Sequence, residues 1–297
     1  MTNIFVICII KKSYDLNQEI ANRSRPDIVD QYAHLFTPDI TFNDSTNNTF
    51  VVHTDGQSLS EKANALGNAV IVHHDLKDCI NDPSIANGDR IFLEEGCYEV
   101  DDDIMIEDLS LQIIGIGDSV EIKFNPVSAP FPSAECAVFL CGTSKLHLKN
   151  VSFTFPDDYP VGILVSDESM LWMEQCTLQS ALNSVDAEEK GAIHMKECKF
   201  MAKDIGLVIE GKQEFAIILG CTFEGNESCI ETNVQLKCIG NVFRNNSGVA
   251  QSTAERGKRA NFFEGSVFEG NIFEGYNVEY EWLYQEQLVR LNHSNLI

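Results

Sequence analysis

The sequence is short of the features that announce most functions. It has no apolar run approaching the roughly 18 residues that would cross a bilayer. The opening MTNIFVICIIKK has only a short apolar stretch, with no basic segment before it and no small-residue cleavage site after it, so a signal peptide is not expected. Positive charge is scarce: 21 Lys+Arg stand against 45 Asp+Glu, for a formal charge of -24. A field of that sign repels phosphate backbones and anionic lipid, which argues against nucleic acid and bare membrane as partners. The one basic run is Arg256, Lys258 and Arg259. Its ten cysteines contain no C-x-x-C pair, so neither a zinc site nor a dense disulfide scaffold is expected, and a reduced, intracellular chain is the preferred reading. His-Gly, H-E-x-x-H and a Gly-rich phosphate loop are all missing. No catalytic residue, metal site or cofactor is assigned on these grounds.

What the sequence does have is a repeat. Five segments align: LHLKNVSF (146–153), LWMEQCTL (171–178), IHMKECKF (193–200), AIILGCTF (216–223) and LKCIGNVF (236–243). A sixth, SVFEGNIF (266–273), fits less closely. Their last residues fall 25, 22, 23, 20 and 30 positions apart, a variation that a coiling solenoid tolerates in its turns. Within each segment, positions one, three, six and eight are mostly apolar or Cys. The step from three to six breaks strict alternation, which predicts two short strands around a two-residue corner. Gly220, Gly240 and Gly270 fall at that corner. A third apolar strand lies between segments, as in GILV (162–165), GLVI (206–209) and SCIE (228–231).

Three strands per coil predict an all-β, single-stranded, right-handed parallel β-helix with helical caps. The expected divisions are a part-helical, part-irregular N-terminal extension (1–60) packing loosely at the N-terminal end of the stack, the β-helix (61–275) and a C-terminal capping helix (276–297, centred on 277–292). Residues 76–100, LKDCINDPSIANGDRIFLEEGCYEV, resemble the opening of a pectin-lyase-type β-helix, with a short helix at Leu76–Ile80, a Gly88-Asp89 turn, a strand at Ile91–Leu93, and then Gly96 and Tyr98.

The pattern also sorts inside from outside. Sixth positions form an inward ladder of Val151, Cys176, Cys198, Cys221, Asn241 and Asn271. Second positions form an outward row of His147, Trp172, His194 and Ile217, the candidate binding residues. Stacked at about 4.8 Å, such a row suits sugar rings or a partner's apolar surface; equally, it suits a groove covered by a loop or by the N-terminal segment. Fourth positions (Lys149, Glu174, Lys196, Leu219) alternate in charge along the stack.

The Cys-bearing L-x-x-x-x-C-x-F/L strands and the GLVIEG turn (206–211) resemble the β-helix half of the Nessun Dorma / Shc-binding-protein family, over about residues 65–275. The F-box-linked β-helix proteins share these repeats, but no F-box-like domain is recognisable in residues 1–60. The Nessun Dorma resemblance implies a scaffold acting in cytokinesis, associated with centralspindlin at the spindle midzone and midbody, with a β-helix that binds carbohydrate. The family's separate N-terminal domain has no recognisable counterpart here. The leading expectation is therefore a non-enzymatic, cytoplasmic interaction scaffold. The alternatives are a carbohydrate-binding module, or a polysaccharide lyase or hydrolase of the pectin-lyase-like fold.

Overall fold

The computed structural model describes residues 25–40, 49–53, 70–125, 136–157, 159–210, 213, 215–252, 266–269 and 271–274. The expected C-terminal helix and the basic run at 256–259 lie outside them. The described chain winds into three parallel sheets of ten, eight and seven strands. From Asp89–Leu93 onward, consecutive strands go to sheets 1, 2 and 3 in turn and pair with strands one coil away; Thr49–Val52 and Val70–His73 extend sheet 1 beyond Asp89–Leu93. The all-β parallel solenoid expected from the repeat is what forms.

The eight-residue unit folds as its pattern dictates. In the second repeat, Met170–Glu174 lies in sheet 1 and Thr177–Gln179 in sheet 2, with the corner between them. At that corner Asn150, Gln175, Glu197, Gly220 and Gly240 all adopt the left-handed conformation, with φ between 54° and 65°. The bend takes that geometry in each of these five coils, whether or not glycine is there to ease it. The third strands, among them Val161–Val165, Asn183–Ala187, Ile205–Ile209 and Ser228–Thr232, build sheet 3.

Inside the coil, like residues stack on like. Phe153, Leu178, Phe200, Phe223 and Phe243 are paired rung by rung in sheet 2 and are buried. The Phe200, Phe223 and Phe243 rings stack at 5.0 and 5.1 Å between neighbours. Full burial of one such side chain is worth about 1.5–3 kcal/mol. The sixth-position ladder is also buried. Asn241 Nδ2 donates to the Ile218 carbonyl and to Asn271 Oδ1, and Asn241 Oδ1 accepts from the Cys221 amide at 2.7 Å. Where cysteine replaces asparagine, the thiols of Cys176, Cys198 and Cys221 are donors to the carbonyls of Glu174, Lys196 and Leu219. Burial pushes the Cys176 and Cys198 thiols well above their ordinary range, which leaves them as core groups and poor nucleophiles. A second asparagine pair, Asn226 and Asn246, satisfies the corner between sheets 2 and 3. Asn226 heads one of the sequence's glycosylation sequons but is fully buried in these bonds.

The N-terminal region departs from expectation in two ways. Thr49–Val52 is a strand of sheet 1, so the sheet begins within residues 1–60. Residues 25–40 do not sit at the end of the stack but lie along the outer side of sheet 1. Helix α1 (Arg25–Tyr32) and the 3-10 turn Ala33–Leu35 form this strap. The short helix Leu76–Ile80 forms as expected, with Asp75 capping it by accepting from the Asp78 amide.

Candidate functional site

The outward row of sheet 1 stacks as the repeat requires: His147 is paired with Trp172, Trp172 with His194, and His194 with Ile217. Three of its four members are closed to solvent, with Trp172 1% exposed, Ile217 4% and His147 6%, while His194 is partly buried. The reason is the strap, whose Val29, Phe36 and Ile40 form one apolar cluster with Trp172, Ile217, Leu219 and Ile239. Phe36 meets the His147 ring edge-on at 6.2 Å. The strap is pinned by Tyr32, which donates to Glu269 at 2.6 Å, and by Lys145, which donates to Asp39 at 2.7 Å. Of the two readings of the row, exposed platform or covered groove, the described geometry is the covered one. Beside it, Glu174 accepts from Lys196 at 2.8 Å and pairs with Lys149 at 2.9 Å, the alternating charges expected of the fourth positions.

A different row, on sheet 3, carries the chemistry that repeat-reading missed. Third strands alternate strictly over their last three residues. In Asn183–Ala187, Val185 and Ala187 are fully buried and Asp186 turns outward between them. Its register partners run Met105, Phe139, Leu164, Asp186, Val208, Glu231 in successive coils. The row therefore begins with three apolar side chains, of which Met105 is 59% exposed, and continues into two carboxylates flanking a valine.

Asp186 is unusual for an outward residue. It is only 9% exposed, and its Oδ1 has no hydrogen-bond partner among the described residues. Burial, reinforced by the negative charges of Glu188, Glu210 and Glu231, pushes its pKa up to about 7. A carboxyl so placed holds a proton near neutral pH and can give it up there. Glu231 lies two rungs away, roughly 9.6 Å along the backbone at about 4.8 Å per rung. Inverting glycoside hydrolysis uses two carboxyls about 6.5–9.5 Å apart, one of them protonated, and the backbone spacing of this pair stands at the upper edge of that range.

Among the described residues, no group of three or more His, Cys, Asp or Glu is arranged to hold a metal ion. Nor is any described helix long and apolar enough to cross a membrane.

Residues 136–281 match the family model described as "Right handed beta helix region". No curated protein matches the chain. Among solved structures, it is similar to a pectin methylesterase variant in complex with a hexasaccharide, at 12% identity and a TM-score of 0.43, over 84% of this chain and 97% of that one. It is also similar to the deglycosylated pectin methylesterase from Aspergillus niger, at 10% identity and a TM-score of 0.40, over 86% and 97%. Both are enzymes, against the expectation of a non-enzymatic chain. At these identities the likeness shows the fold alone and assigns no activity to this chain. None of these matches supports the finer likeness to the Nessun Dorma family. Family model, sheet order and repeat agree on one conclusion: the chain is built on a right-handed parallel β-helix.

Proposed function

We propose that this chain acts on a carbohydrate polymer along the outer face of sheet 3, as a glycoside hydrolase of the inverting type. The observation that carries the reading is the Asp186 carboxyl: outward in its strand, yet buried, with an unpartnered oxygen and a pKa near 7. Asp186 is assigned as the general acid that protonates the leaving glycosidic oxygen. Glu231 is assigned as the base that activates water from the other side of the ring. Met105, Phe139 and Leu164 would supply an apolar track on which sugar faces stack, leading the polymer to the acid pair. Sheet 3 is a binding face distinct from the His147–Ile217 row, which is covered by the strap.

The reading is tested by incubating the full chain with a panel of neutral and uronic-acid polysaccharides and measuring new reducing ends. Turnover of at least one polymer is expected, with Asp186→Asn lowering it by about 100- to 10,000-fold, the usual contribution of a general acid. Absence of turnover on every polymer, or an Asp186→Asn variant as active as the wild type, rejects it. Association with centralspindlin at the spindle midzone, implied by the Nessun Dorma resemblance, has no observation in its favour.

A further inference from the structure

We infer that residues 25–40 are an acid-released latch over the outer row of sheet 1, held shut while His147 and His194 are neutral and opening when they take up protons. Three geometric facts carry this. First, the strap and the row share an apolar cluster separate from the core of the solenoid. Lifting the strap therefore leaves the stacked coils intact. Second, the strap crosses the rungs from Glu269 back to Lys145 and has two described side-chain anchors, Tyr32 to Glu269 and Asp39 to Lys145. Third, the closed state leaves polar atoms without partners: Trp172 Nε1 and His147 Nε2 are buried without a hydrogen bond among the described residues. Opening hydrates both.

The charges around the two rings set the direction. His147 shares a hydrogen bond with Gln112 at 2.8 Å through Nδ1. Its Nε2 lies 4.0 Å from Glu174, beyond hydrogen-bonding reach, and Lys149 is also near. His194 accepts from the Ile217 amide at 3.3 Å, packs between Trp172 and Phe215, and feels Lys237. On the strap side, Phe36 faces His147, Asp39 is paired with Lys145, and Asp30 acts on Lys196. Burial holds both imidazoles down at about 4, with the strap's Phe36 packed on His147 and the partly buried His194 set between Trp172 and Phe215 beside the strap's cluster. An open strap returns them toward the ordinary value of about 6.5. Because the open state then binds more protons, acid favours opening, by roughly 30-fold per histidine at pH 5.

Hydrogen exchange on the full chain tests this, with rates corrected for intrinsic pH dependence. Between pH 7.5 and pH 5, protection of amides in residues 25–40 is expected to fall by at least 30-fold. Protection of Leu171 and Ile193 in the underlying strands should hold. In a His147→Gln/His194→Gln variant the pH response of the strap should vanish, which separates the histidines from Asp39 and Glu269. Unchanged strap protection, a parallel loss in the underlying strands, or the same response in the variant would overturn the latch. Should the variant not fold, NMR titration of the wild-type rings decides: coupled titration with strap opening supports the latch, and ordinary titration near 6.5 with the strap closed overturns it. The result is independent of the sheet 3 activity.

Discussion

At the scale of single residues, this protein puts similar demands on unlike side chains. A corner amide or carbonyl buried in every coil needs a partner. Asn241 meets that demand through four side-chain bonds, to Cys221, Ile218, Cys238 and Asn271. Cys198 meets it through weak thiol contacts, to the carbonyl of Lys196 and to the neighbouring Cys176 and Cys221 thiols. Asn241→Ala is therefore expected to cost about 2–4 kcal/mol, because it orphans groups on two coils. Cys198→Ala should cost less, and denaturant midpoints of the two variants would rank them. Asp186 makes the opposite case, a group whose folded environment opposes its charge. Its folded pKa lies above its unfolded value, so its favourable contribution is complete below pH 4 and is lost as pH rises toward 7. Asp186→Asn should consequently raise stability at pH 8, by up to roughly 4 kcal/mol at about 1.4 kcal/mol per unit. Thermal or chemical unfolding at pH 4 and pH 8 checks the sign: the gain should be large at pH 8 and near zero at pH 4. The inward ladder of Val151, Cys176, Cys198 and Asn241 was legible in the sequence, because in–out alternation is written locally in eight residues. The Asp186 carboxyl was not. Its proton affinity depends on burial and on Glu210 and Glu231, which reach it only once coils stack.

At the scale of elements, the strap and the sheet 1 corner fit each other closely. A Cβ added at Gly240 would stand 3.0 Å from Val29 Cγ2, and one at Gly220 would stand 2.9 Å from it. Both glycines also sit at positive φ, where a side chain costs about 1 kcal/mol or more. The repeat marks both glycines as corner residues, and they are. Their second role, letting helix α1 approach, depends on a segment about 200 residues away in sequence. Gly240→Ala should therefore loosen the strap as well as strain the corner. Limited proteolysis within residues 25–40 is expected to accelerate several-fold, with cleavage of the underlying coils unchanged. The strap's apolar residues Val29, Tyr32, Phe36 and Ile40 recur at helix-like spacing, so a buried face could have been read there. What it covers could not, because Trp172 and Ile217 occupy positions that the strand pattern marks as outward.

At the scale of the whole molecule, the solenoid separates structure from chemistry. The interior consumes the Phe, Cys and Asn ladders; the three outer faces are left for other uses. The part of sheet 1 from His147 to Ile239 is covered by the chain's own strap, and sheet 3 presents an apolar track leading to two carboxylates. The net charge of -24 works against compaction, so stability should rise as salt is added from low ionic strength and then level off near physiological screening. Melting temperature across a salt series would show it. The central claim is that Asp186 serves as the proton donor on sheet 3. The pH dependence of turnover on whichever polymer the chain cleaves tests this most directly. The rate should fall as pH rises through about 7, and Asp186→Asn should abolish that limb along with most of the activity. A high-pH limb that persists unchanged in the variant would contradict the account.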